Sequence, residues 1–282
     1  MAQGRNSIRP QALPEANVET SVLPQTFAGV DGTSPRDAGQ PTFLTRYLQY
    51  WHADLRVDAF IELQLLLLTF ATGIQDGISY PDFRCFASNQ TGNTVVLAVA
   101  LAGGVADLFD PVNVGISLAA FLAGAVLTGR VGITVGRRRR AWQFGVNLAQ
   151  TFMVMGAAWI QFVHGVEERG AWARATLTLI AFPSGAQVAA ARAMRIPEIS
   201  TAMATAAWVD LLIDENLMTW RNRPRNRRIL FLVALVAGSF AGAFARTGVG
   251  SPMALVISGV VKALVTGGIL FSKSDSDGDK CG

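Results

Sequence analysis

The sequence predicts an all-α, polytopic transmembrane helix bundle of six to seven spans, built as two related halves. Three observations predict it: the composition, a series of eight apolar segments parted by short polar loops, and an internal repeat. Of 282 residues, 51% are hydrophobic and only 16% charged, with a mean hydropathy of +0.34. A soluble domain carries about 25% charged residues. The formal net charge is +4. The arginines sit in short runs between apolar segments, as in cytoplasmic membrane loops, so the positive balance does not read as a nucleic-acid surface.

Residues 1–58 hold five of the eleven prolines (Pro10, Pro14, Pro24, Pro35 and Pro41) among mixed charges. That composition predicts a disordered N-terminal tail. It has no apolar core of the signal-peptide kind. Within it, 42–57 (TFLTRYLQYWHADLRV) places Phe43, Tyr47, Tyr50 and Trp51 between charges, the composition of a linker or of an interfacial helix leading into the membrane. The transmembrane domain spans 59–271. Its apolar segments run roughly over 59–80, 92–109, 112–136, 142–163, 171–191, 198–213, 229–248 and 252–271. Crossing a bilayer takes about 20 residues. The second and sixth segments are shorter and are ended by Asp107 and Asp210, so they read as re-entrant or buried. Residues 272–282 (SKSDSDGDKCG) predict a disordered, polar C-terminal tail.

The chain repeats itself. Phe70-Ala-Thr-Gly73-Ile-Gln75 returns as Phe182-Pro-Ser-Gly185-Ala-Gln187, each near the end of a long apolar run. Ala123-Gly124-Ala125 in the third segment resembles Ala241-Gly242-Ala243 in the seventh, and Arg130 and Arg246 follow them. The order is kept, which gives halves of about 59–163 and 171–271. Internal repeats are frequent in transporters.

Two basic runs, Arg137–Arg140 and the five arginines within 221–228, should both lie in the cytoplasm. Three full crossings between them would separate them. If segments two and six do not cross, six spans remain, the halves are inverted and both termini are inside. If segment two does cross, there are seven spans and an external N-terminus.

Polar groups at membrane depth are costly unless they face protein, water or ligand. Gln75 and Asp76 stand about one turn before Tyr80 at the end of segment one, and Gln187 is the second-half counterpart of Gln75. Asn89-Gln-Thr91-Gly92-Asn93-Thr94 opens segment two with helix-capping residues. Free N–H groups there favour an anion or a carbonyl oxygen. Lys262 falls mid-way along segment eight, at a cost of about 2.5–3.5 kcal/mol on insertion scales. It either snorkels to the interface or meets an acid such as Asp76 or Glu62. Arg130 and Arg246, close to segment ends, read as snorkelling. Gly73-x-x-x-Gly77, Gly132-x-x-x-Gly136 and Gly238-x-x-x-Gly242 predict close helix contacts. The two cysteines, Cys85 and Cys281, make no CxxC pair. No metal-binding, phosphate-loop, dinucleotide or nucleophile-elbow motif is present. The sequence thus implies no enzyme, no metal and no cofactor.

Gly73-x-x-Asp76-Gly-x-x-Tyr80, followed by Phe86-x-x-Asn89-Gln-Thr-Gly-Asn-Thr94, resembles the signature of the YoaK family, as does the glycine-rich end of segment three before Arg130. These are polytopic membrane proteins of uncharacterised function from bacteria and fungi. The resemblance covers roughly 59–271 and is to a fungal-type member with an extra N-terminal tail. Gly77 departs from it, since the family usually has Ala there. The resemblance implies an integral membrane protein of a group often described as permeases.

The expected function is secondary transport of a small molecule or ion. Its site would lie between the halves, at Gln75, Asp76, Tyr80, Asn89, Thr91, Gly92, Asn93 and Gln187, with Lys262 as a charge partner. The expected partners are the lipid bilayer and a small substrate, with no nucleic acid. The plasma membrane is the expected location, ahead of internal membranes. The alternative is a non-transporting membrane scaffold or regulator whose tail recruits partners.

Overall fold

The computed structural model describes residues 42–103 and 109–275. Among them the chain is all helix, without strands: α1 Phe43–His52, α2 Ala59–Phe83, α3 Gln90–Leu101, α4 Pro111–Val135, α5 Arg140–His164, α6 Ala171–Arg192, α7 Ala204–Leu212, α8 Arg223–Val249 and α9 Ser251–Ile269. Helix starts carry side-chain caps that the sequence supplies. Asp58 accepts from the N–H groups of Phe60 and Ile61, Asp110 from Val112 and Asn113, and Asn222 from Arg225. Each occupies backbone donors that a helix start leaves open. A single residue, Gly250 with φ +92°, ends α8 and begins α9.

Four helices, α4, α5, α8 and α9, are long and apolar enough to cross a membrane. Helices α2 and α6 have the length, at 25 and 22 residues, but carry Glu62, Asp76 and Asp82, and Arg174 and Arg192, respectively. Their position explains it. Fourteen residues of α2 and thirteen of α6 are buried, against four of 27 in α8. The two polar helices are shielded by the apolar ones and need not be lipid-soluble themselves. The outer helices expose Leu122, Val126, Phe152, Trp159, Val233, Phe240, Phe244 and Leu264, an apolar surface of the extent that marks a membrane protein.

Two close crossings hold this arrangement. Helix α2 packs on α8, and α4 on α6. A Cβ added at Gly238 or Gly124 would strike the carbonyl oxygen of Phe70 or Phe182 respectively, and one at Gly185 that of Phe121. The backbones touch because no side chain separates them. Helix α5 packs on α9 and α6, α9 also packs on α2, and α2 meets α6 in the centre. The short helices lean outward, α3 on α4 and α7 on α8. Gly132-x-x-x-Gly136 is no such crossing. Gly136 ends α4 with φ +105°, and Gly132 lies under the indole of Trp142.

The ends of the bundle are fixed by ion pairs and backbone bonds. At one end Glu62 near the start of α2 pairs with Arg223 and Arg227 at the start of α8, 2.5 Å each, and Arg227 reaches Glu198 at 3.5 Å. Gln143 near the start of α5 donates to Ala190 O near the end of α6. Both basic runs therefore lie at this end. At the other end Arg246 of α8 pairs with Asp82 of α2 at 2.6 Å, and Arg169 before α6 pairs with Asp110 before α4 at 3.4 Å. Arg246 thus meets a carboxylate in place of the expected snorkelling. The chain leaves α2 and enters α4 at the same end, with Asn113 donating to Phe83 O. It likewise leaves α6 and enters α8 at the opposite end.

The flanking segments are more ordered than their polarity predicts. Helix α1 lies within the expected interfacial stretch and exposes Phe43 and Tyr47. Beyond it, Arg56 N donates to Lys273 O, Asp275 N to Asp54 O, and the Arg140 guanidinium to Tyr50 O and Ser272 O. Residues 53–57 and 272–275 are thereby tied to the start of α5, because the buried arginine needs their carbonyls. Asp107, Cys281 and the tail before residue 42 lie outside the described residues.

Replacing Gly124 by Ala should destabilise the bundle by about 1–3 kcal/mol through overpacking. Gly129→Ala, where a Cβ meets open space, should be neutral or stabilising by up to about 1 kcal/mol. Thermal unfolding of the purified variants in detergent separates the two. Equal midpoints would contradict the close crossing.

Candidate functional site

Polar side chains from four helices meet at the centre of the bundle. Helix α2 contributes Thr72 and Gln75, α6 Ser184 and Gln187, α5 Gln150, and α9 Ser258 and Lys262. All are buried, and Lys262 is 1% exposed. Each sits mid-helix, where the backbone satisfies its own groups and only the side chains need partners.

The bonds run in two chains, one through Gln75 and one through Lys262. Gln187 Nε2 donates to Thr72 Oγ1 at 2.8 Å, and the Ser184 hydroxyl, which donates to Ile180 O at 2.8 Å, lies 3.3 Å from Gln75 Oε1. Gln75 Nε2 donates to Ser258 Oγ at 2.9 Å, and Ser258 donates to Ala71 O at 3.1 Å. The Lys262 amine donates to Gln150 Oε1 at 3.0 Å and to Gln187 Oε1. Neither sequence expectation for Lys262 is met: it does not snorkel, and no carboxylate among the described residues pairs with it. The acids named for it are engaged elsewhere, Glu62 by two arginines and Asp76 by Ser88. Gln150 Nε2 is buried without a hydrogen-bond partner. A small cavity of about 20 Å³, lined by Gln64, Gln143 and Asn147 among apolar residues, lies towards the basic end. It has room for about one water.

The remaining sequence candidates form a second assembly, at the far end of α2. Asp76 accepts from Ser88 N at 2.8 Å and Ser88 Oγ at 2.5 Å. Asn93 brackets Phe86, accepting from its N–H and donating to its C=O, donates also to Gln90, and lies 3.3 Å from Ser117 Oγ. Asn89 caps α3 through Gly92 N, and Tyr80 stacks on Phe86 with centroids 4.7 Å apart. Thr91 is exposed. Asp76, Gly77 and Tyr80 also line a groove of about 450 Å³ against α8. The structure thus brings Gln75, Gln187 and Lys262 together. It puts Asp76, Tyr80, Asn89, Thr91, Gly92 and Asn93 around the α2–α3 connection.

Sequence reasoning missed Gln143, Asn147 and Gln150. Their signal is the spacing i, i+4, i+7 inside a membrane segment, one buried helix face. Thr72, Ser184 and Ser258 carried no signal of their own, since hydroxyls can satisfy themselves on the preceding turn.

The family described as a protein of unknown function, DUF1275, matches residues 64–268, which include every residue of the central cluster; the chain belongs to this family. Comparison with curated proteins and with solved structures found no match.

Gln187→Leu should cost about 1–3 kcal/mol, because it removes an acceptor from Lys262 and a donor from Thr72. Lys262→Met removes the buried amine but leaves Gln150 Oε1 and Gln187 Oε1 without their donor, so alone it should cost about 1–3 kcal/mol as well. Combined with Gln187→Leu it should cost less than the sum of the two, as coupled sites do. Additive losses in detergent unfolding would contradict the contact. At the second assembly, burial, helped by the carboxylates of Asp110 and Asp76, pushes the Cys85 thiol up to about 12. In a Cys281→Ser background, Asp76→Ala should speed maleimide labelling of Cys85 at least about tenfold, as expected for loss of about 1.4 kcal/mol of closure. An unchanged rate would show that Asp76 does not hold the connection.

Proposed function

We propose that this DUF1275 member is a permease: a secondary carrier for a small solute, working between two inverted halves. Helices α2, α4, α5, α6, α8 and α9 are the six membrane crossings, and α3 and α7 enter and return at one side. The positive-inside rule then puts both basic runs and the start of α2 in the cytoplasm. The plasma membrane is the proposed location. A YoaK-type identity of the fungal, N-terminally extended kind fits the same reading.

The paired packing supports the two halves. Helix α2 packs on α8 as α6 packs on α4, α2 on α9 as α6 on α5, and α3 on α4 as α7 on α8. Thr72 and Ser184 hold the same place in FATGIQ and FPSGAQ, and each meets the glutamine of the opposite half. Arg84 caps α2 at φ 59°, and Arg195, in the turn three residues beyond the end of α6, also has a positive φ of 55°. The contacts align Gly124 with Gly238, one turn before the Gly242 that the sequence repeat suggests. By the same alignment the α7 start stands where Asn89–Asn93 opens α3.

The observation that carries the reading is Lys262, buried without a carboxylate where the halves meet. Ionisable groups inside membranes generally mark a transport pathway, and carriers place their sites near mid-membrane at a repeat interface. Gln75, Gln187 and Lys262 would contact the solute. Asp76, Tyr80, Asn89, Thr91, Gly92 and Asn93 would shape the hinge that closes its outer side.

Solvent access tests this without a known substrate. With Cys85 and Cys281 replaced by Ser, Ser258→Cys should react with a membrane-impermeant thiosulfonate from each face of the membrane in turn. A fixed scaffold would keep position 258 unreactive from both faces.

A further inference from the structure

We infer that the Lys262 cluster takes a small monoanion together with one proton, and that the lysine amine carries the proton. The inference rests on the permease reading and names its substrate class. The acceptor count points to it. A neutral amine has two N–H groups, and Lys262 meets two acceptors, Gln150 Oε1 and Gln187 Oε1. An ammonium has a third N–H and a full charge.

No group on the surrounding helices balances that charge. Helix α2 offers Thr72 and Gln75, α5 offers Gln150 and Thr151, α6 offers Ser184 and Gln187, and α9 itself offers Ser258 and Thr266. None of these is titratable. Their hydroxyls donate to carbonyl oxygens: Thr72 to Leu68, Thr151 to Asn147, Ser184 to Ile180, Ser258 to Ala71 and Thr266 to Lys262. The acids of α2 are held away by Arg223, Arg227, Ser88 and Arg246. An isolated ammonium in such surroundings is expensive unless an opposite charge joins it.

A single negative charge meets that need, and two donors await it: the third N–H of the ammonium and the unpartnered Gln150 amide. A cation would face the positive amine. A dianion would leave one charge unbalanced. Gln143 and Asn147 precede Gln150 along one face of α5 and line the small cavity towards the basic end. The basic runs 137–140 and 221–228 lie at that end, and the part of their charge not taken up by Glu62, Glu198, Asp210, Asp214 and Asp275 would raise the local concentration of anions there.

The proton balance closes. On loading, the lone pair of the neutral amine takes a proton from water, and the anion accepts from the ammonium and Gln150. The loaded cluster is neutral overall. When the anion leaves, the ammonium loses its counter-charge and returns the proton to water on that side. No bond of the anion breaks and no electron moves.

The test uses the full chain in liposomes under an imposed inward proton gradient, with a lumenal pH dye. The probes are chloride, nitrate, lactate and pyruvate, with glycerol and methylammonium as neutral and cationic controls. The expected result is entry of at least one anion with lumenal acidification. Lys262→Met, folded by its unfolding profile, should lower that entry at least tenfold. Chloride and nitrate against lactate and pyruvate separate an inorganic from a carboxylate substrate. Anion entry without acidification, or undiminished in Lys262→Met, overturns the inference. Entry of glycerol or methylammonium alone overturns it and leaves the permease reading standing. Entry of no probe, with position 258 unreactive from both faces, overturns both.

Discussion

A lysine amine in the middle of an apolar bundle has to find acceptors, and the acceptors found here belong to two other helices. Lys262 on α9 is held by Gln150 on α5 and Gln187 on α6, and Gln187 in turn holds Thr72 on α2. One amine therefore links four helices, the inner pair α2 and α6 with α5 and α9. The cost of burying it makes the position of each partner matter, because a donor left unpaired in a low-dielectric interior loses most of what a hydrogen bond supplies. The neutral side chains around it set what it can do. Without a carboxylate nearby, its charge has to be matched from outside the protein.

The glycine crossings serve this centre. Where α2 meets α8 and α4 meets α6, backbone lies against backbone, so the two polar helices sit deep enough to be shielded on most sides. The apolar helices pay the solubility cost in lipid, and the inner pair is free to carry Gln75, Ser184 and Gln187. Arginine–carboxylate pairs at the two ends, Glu62 with Arg223 and Arg227, and Asp82 with Arg246, tie the start and the finish of α2 to α8. The pair α2–α8 is thus clamped at both ends.

The bundle was legible in the sequence because burial in lipid leaves long apolar runs, and all helices from α2 to α9 fall on those runs. Gln75 and Gln187 stood out in the sequence as polar residues within long apolar runs, and both are buried in the central cluster. What was not legible is how polar residues divide among partners. Asp76 is a membrane-depth acid by position, yet its carboxylate holds Ser88, a contact within the chain's own next loop. Gln150 looks like one polar residue in a long apolar helix, and only packing shows that it faces Lys262. Arg246 sits near a helix end, where snorkelling is the usual outcome, and Asp82 from another helix captures it. The order of 272–275 depends on Arg140, more than a hundred residues away. In each case the deciding contact lies between distant segments.

The central claim is that Lys262 gains a proton when the cluster gains an anion. Calorimetric titration of the detergent-purified protein with nitrate and with pyruvate, repeated in buffers of different ionisation enthalpy, counts the protons taken up on binding. The account predicts about one proton per anion bound by the natural protein and none by Lys262→Met. Anion binding without proton uptake, or the same uptake in Lys262→Met, would contradict it.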